Sequence, residues 1–211
     1  MNIKVAKKLL AVTLAASMVV MPLTVGATDS SDESTEETEV TEEVFEEVEP
    51  TSVVAVGGEV IKNDLPGAFV IAKDAPIAGV AIQVTPAALK AQAGLAANET
   101  PFARVYTVRR AKSPAVYASF DAAAQALGGT VLGGLNVDLV ALTAGKVSSI
   151  SEGVSVPVSM AIKNYNPNLT YYVVKVLPGG KTENIPATVN EKGVLSFNVT
   201  GGLGGYGLIA K

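Results

Sequence analysis

The chain of 211 residues contains no cysteine, no histidine and no tryptophan. Without cysteine there is no disulfide, thiol nucleophile or thiolate ligand. Without histidine there is no imidazole base, and zinc sites built from those two side chains go with them. The carboxylates that remain suit hard cations rather than zinc, copper or iron. No cofactor and no transition metal are therefore expected. Aromatic residues make up only 5% of the chain, whereas hydrophobic residues make up 48%. The length suits one main domain with appendages.

The N-terminus has three zones. Lys4, Lys7 and Lys8 precede an apolar run from Leu9 to Met21, and Pro22 leads to the small-residue end Val25-Gly26-Ala27. This pattern predicts a secretory signal peptide over 1–27, cleaved after Ala27. The apolar run is too short for a membrane span, which needs roughly 20 residues. Export without cysteine fits a bacterial source, because a core of this size holds without disulfides. A lipid anchor would need a cysteine. Leu65-Pro66-Gly67 and Leu177-Pro178-Gly179 match a wall-sorting signal only in part. The expected localisation is secreted, extracellular or loosely associated with the cell envelope, with membrane contact only through the signal peptide before cleavage.

Charge is divided unevenly. Residues 29–50 hold 11 of the 20 acids and no basic residue, whereas residues 51–211 hold 13 basic residues against nine acids, a net of +4. The acidic stretch has too few apolar residues to offset the entropy of ordering, and its like charges repel. It reads as a disordered linker over 28–50. Its spacing fits no calcium-binding EF-hand loop. A pI of 5.0 and the lack of basic runs interleaved with aromatics make nucleic acid a poor partner.

From Thr51 onward, short alternating runs separated by glycine and proline predict eleven strands. They fall near 53–56, 59–62, 68–73, 78–84, 103–109, 130–142, 154–163, 170–177, 182–189, 193–199 and 205–210. The clearest is Val154, Val156, Val158, Met160 and Ile162, five apolar residues at period two. Pro157 on its other face cannot donate to a ladder, which predicts an edge strand. Two segments read as helices: Thr85-Pro86 and Ser113-Pro114 each offer a capping hydroxyl with proline at the first helical position, and Gly94 and Gly128 are their stops. The fold class is mainly β to α+β, an antiparallel β-sandwich-like domain with two short helices covering one end and a sub-boundary near 128.

The segments "SFDAAAQALGGTVLGGLNVDLVAL", "GKVSSISEGVSVPVSMAI" and "TYYVVKVLPGGKTENIPATVNEKGVLSFNVTGGLGGYGLIAK" resemble the C-terminal module of secreted and surface proteins of Gram-positive anaerobes. Gly207 stands where the final "Tyr-Ala-Leu-Ile" strand of those modules carries alanine. The resemblance covers about 90 residues and rests on β-scaffold positions. It implies fold and compartment and brings no functional residue with it.

Gly202 to Gly207 formally satisfies the G-x-G-x-x-G spacing, but only four residues follow it, too few for the helix that would receive a pyrophosphate. Gly145-Lys146 fails as a phosphate loop, because Val147 stands where magnesium needs a hydroxyl. By elimination Asp64, Asp74, Asp121 and Asp138 are the acids available to a hydrolase. Asn136 and Asp138 share a strand face that reads as solvent-facing, and two ligands fall far short of a calcium shell. Ser113 reads as a helix cap, and Ser151 and Ser155 as loop or strand polars. Tyr171 and Tyr172 point to opposite faces, so at least one belongs to the core.

Arg104, Arg109, Arg110 and Lys112 form the main basic cluster and the candidate binding residues. As a patch they suit an anionic wall polymer or the protein's own acidic stretch; the plainer alternative is a solvated loop, and the extracellular or cell-wall partner is left open. The leading reading is an exported, non-enzymatic bacterial module acting by interaction at the cell envelope or extracellularly. The alternative is a secreted carboxylate-dependent hydrolase.

Overall fold

A strand whose apolar residues recur at every second position buries one face, and Val154, Val156, Val158, Met160 and Ile162 do so: all five are buried. The computed structural model describes residues 52–202 and 204–211. The expected signal peptide and acidic linker lie outside the described residues. In chain order the elements are β1 (Val53–Val56), β2 (Glu59–Lys62), β3 (Gly67–Val70), β4 (Ile77–Ile82), α1 (Pro86–Ala93), β5 (Thr100–Val108), α2 (Pro114–Leu127) and β6 (Thr130–Thr143). They continue with β7 (Lys146–Ser149), β8 (Ser155–Ile162), β9 (Tyr171–Val176), β10 (Thr182–Ile185), β11 (Ala187–Val189), β12 (Val194–Thr200) and β13 (Gly205–Ala210).

The result is the mainly-β, sandwich-like domain that the alternation predicts. The larger sheet runs β10-β9-β13-β6-β5-β3 with β7 on β6, and the smaller runs β11-β12-β8-β4. Their facing residues, among them Leu135, Val137 and Leu208 from one sheet and Val80, Val156 and Leu195 from the other, form the main core. Pairing is antiparallel except between β3 and β5. Both sheets join strands from either side of residue 128: β5 pairs with β6 and β4 with β8.

Each sheet also has a partly covered outer face. The helix α1 closes the main core, with Leu89 fully buried in it. By contrast, α2 lies on the outer face of the larger sheet, where Phe120 and Ala124 pack on Val174 and Ile209, so the two helices do not share one end. On the smaller sheet the β1–β2 hairpin lays Val54, Val56 and Ile61 over Ala81, Ala161 and Val194. Gly79 admits this approach: a Cβ there would lie 2.0 Å from the Val53 carbonyl oxygen.

Several expectations are corrected. The strand holding Pro157 is interior, between β12 and β4. The Pro157 carbonyl accepts the Gln83 N–H at 2.9 Å. The missing donor of the same residue points to that side, just past the end of β4 at Ile82, where no ladder bond is needed. The predicted strand over 182–189 breaks at Pro186, and its halves join different sheets: β10 pairs with β9 and β11 with β12. Strand β7 was not legible, because all four of its residues are exposed and carry no alternation. It is held by a tight turn at Ala144 and Gly145, both at positive φ. Both glycine stops adopt the left-handed conformation. Thr85 accepts the Ala88 N–H, whereas Ser113 makes no side-chain cap bond.

Candidate functional site

Arg109 and Arg110 follow β5 and enter a turn in which the Arg109 carbonyl accepts the N–H groups of Lys112 and Ser113. The turn after β3 is brought alongside by the Ala72 N–H, which donates to Thr107 Oγ1 at 2.9 Å. Just after β8, the Lys163 ammonium donates to the Lys73 carbonyl at 2.6 Å, and its backbone N–H to the Pro76 carbonyl at 2.8 Å. The 74–76 turn, the end of β5 with the residues that follow it, and β6 at Leu132 and Gly133 meet at a hollow of about 340 Å³ lined by Asp74, Pro76, Thr107, Arg109, Arg110 and Tyr117, among others. Its charged lining is Arg109, Arg110 and Asp74. Lys73 precedes Asp74 in the chain with Lys163 bonded to its carbonyl, Lys112 follows Ala111, and Arg110 holds Asp121.

The charges are partly internal. Arg110 grips Asp121 with two bonds of 2.5 and 2.9 Å and lies 4.5 Å from the centre of the Tyr117 ring. Arg109 reaches Asp74 at 3.6 Å. The Tyr117 hydroxyl donates to the Val108 carbonyl at 3.0 Å, and burial pushes its pKa up. The hydrogen bond from Arg110 holds the Asp121 carboxyl below the usual carboxylate range. A depressed acid pKa adds stability above the unfolded value and loses it as pH falls through the folded one. Both partners are exposed, so little stability is at stake. In a pH titration followed by NMR, Asp121 should ionise below the free value of about 3.9, and Arg110→Ala should move the midpoint upward.

The predicted basic cluster divides. Arg104 points from the outer face of β5 to Asp138 on β6, 2.9 Å away, and lines a separate hollow of about 220 Å³ with Ala68, Val70 and Tyr106. Asp138 is 5% exposed, not the solvent-facing residue that the alternation implied. Its second oxygen accepts the Asn136 amide at 2.6 Å. That amide presents hydrogens to the carboxylate, the reverse of shared cation ligation. Of the other acids, Asp64 is exposed between β2 and β3. Asp74, Asp121 and Asp138 are each bound by an arginine. Among the described residues no three acids group as a metal site would require.

The remaining motifs resolve as scaffold. Gly205 to Gly207 lie in β13, a strand rather than a helix start. Tyr171 is in the main core, and Tyr172 packs on the opposite face with the α2 cluster. The Ser151 hydroxyl accepts the Gly153 N–H in a turn. Ser155 opens β8, where its carbonyl accepts the Gln92 amide.

Comparison with protein-family models, curated proteins and solved structures finds no match. Sequence reasoning located Arg109, Arg110 and Lys112 but missed Lys73 and Lys163. No signal along the chain joins positions so far apart; only the packing of the 72–76 turn against β5 and β8 does.

Proposed function

We propose that this chain is an exported, non-enzymatic bacterial module that acts by binding at the cell envelope, with an anionic wall polymer as the ligand of the Arg109–Arg110 hollow. The reading rests on the two arginines that line the hollow and on Lys73, Lys112 and Lys163, which adjoin its lining along the chain or through a hydrogen bond. A polyanion gains from such a field over its length. The signal-like N-terminus and the resemblance to Gram-positive surface modules support the compartment. The hydrolase reading has less support, since arginines occupy three of its four acids instead of leaving them open to substrate.

Binding of poly(glycerol phosphate) to the full chain tests the proposal. At low ionic strength the double variant Arg109→Ala/Arg110→Ala should bind about tenfold more weakly, the scale of two exposed charges at up to about 1 kcal/mol each. Arg104→Ala, in the other hollow, should bind as the parent does. Equal binding by parent and double variant would remove the hollow as the site.

A further inference from the structure

The β1–β2 hairpin covers only half of the smaller sheet's outer face. On the open half the register fixes what points outward: Ser196 lies opposite Thr188 on one side and Ser159 on the other, and Asn198 lies opposite Pro157. Thr188, Ser196, Asn198 and Pro157, with Gln83 and Pro186, line a groove of about 400 Å³, a volume in the range of small-molecule sites. It lies on the other sheet from the Arg109–Arg110 hollow.

Every polar side chain in this groove is an uncharged hydroxyl or carboxamide, although charged residues make up 17% of the chain. Hydroxyls and carboxamides both donate and accept. Two of the lining side chains are held by Ser159, which is itself 1% exposed, donates to Gln83 Oε1 at 2.8 Å and lies 3.4 Å from the Ser196 hydroxyl. The first bond uses the carboxamide oxygen of Gln83, so its amide hydrogens are what it has to offer a ligand. An ionic ligand would find no counter-charge here. An apolar one would strip water from a row of polar groups and leave them unpaired, at a cost of about 1–3 kcal/mol each. A ligand that presents many neutral donors and acceptors matches the row, and the rings of Pro157 and Pro186 offer flat apolar surface to its C–H faces.

We infer that this groove binds an uncharged oligosaccharide. Phe197, the one aromatic residue of the lining, is buried in the main core, so no ring is open for stacking and affinity is weak, with a Kd on the order of 1–10 mM.

The test is titration of the full chain with chitotetraose, cellotetraose and maltotetraose, followed by amide NMR shifts. At least one sugar should shift Gln83, Thr188, Ser196 and Asn198 together. The exposed substitutions Ser196→Ala and Asn198→Ala should each weaken binding about fivefold to tenfold, the scale of one hydrogen bond. Raising salt to about 0.15 M should change nothing, because no charge takes part. The inference is overturned if none of the three sugars shifts these amides at roughly 10 mM, if the shifts map elsewhere, or if binding falls with salt. Shifts of the same amides that depend on protein concentration without sugar would assign the face to a second copy of the chain, and would overturn it equally.

Discussion

Phe120→Ala is expected to destabilise the domain by about 3–5 kcal/mol, the usual cost of emptying a buried aromatic site. Phe120 is fully buried between α2 and the larger sheet and meets Tyr117 edge-on, with ring centres 5.5 Å apart. The sheet receives the ring through glycines. A Cβ at Gly207 would lie 2.5 Å from the Phe120 ring, and one at Gly134 2.6 Å from it. With no side chain on those residues, the two sheet positions in closest contact with the ring have nothing to fill the space that alanine would leave. The unfolding midpoint in urea should fall while the slope stays constant. The converse change, Gly207→Ala, should cost about 1–3 kcal/mol by overpacking, and much less once Phe120 is alanine. A loss below about 1 kcal/mol for Phe120→Ala would mean that α2 does not hold the larger sheet together. The same contact gives a reason for glycine at 207.

The second large effect concerns the charge split between residues 29–50, with 11 acids and no basic residue, and the body at +4. A polyacidic segment tethered to a cationic hollow competes with an anionic polymer at high effective concentration. Deleting residues 28–50 should strengthen binding of poly(glycerol phosphate) at low ionic strength by up to about a hundredfold, since each exposed pair contributes only about 0 to 1 kcal/mol. The gain should shrink as salt rises and the Debye length falls to about 8 Å at physiological ionic strength. It should vanish in the Arg109→Ala/Arg110→Ala background, which separates competition at the hollow from a general charge effect. Identical binding with and without the segment would leave it a plain spacer.

Local chemistry made most elements legible. The period-two run of β8, the Thr85-Pro86 helix start and the left-handed Gly94 and Gly128 stops all act within a few residues of chain. Long-range pairing was not legible. Pro157 has the same side chain on an edge strand as in an interior one; what makes it acceptable inside is that β4 ends one residue short of its missing donor. Pro186 interrupts a strand in either reading, but the separation of the sheets sends β10 and β11 to different partners.

For the candidate sites the division is the same. The sequence alone determined which chemistries are absent, because a missing side chain is missing in every fold. It also determined a β-rich body with a separate acidic stretch, since alternation and charge repulsion are properties of neighbouring residues. Only the tertiary structure decided that Arg104 leaves the basic cluster for Asp138, that Lys163 bonds the Lys73 carbonyl beside the hollow's lining, and that Gln83, Thr188, Ser196 and Asn198 share one groove. Those groupings depend on strand register and loop packing between residues up to about a hundred positions apart, for which a linear pattern has no counterpart.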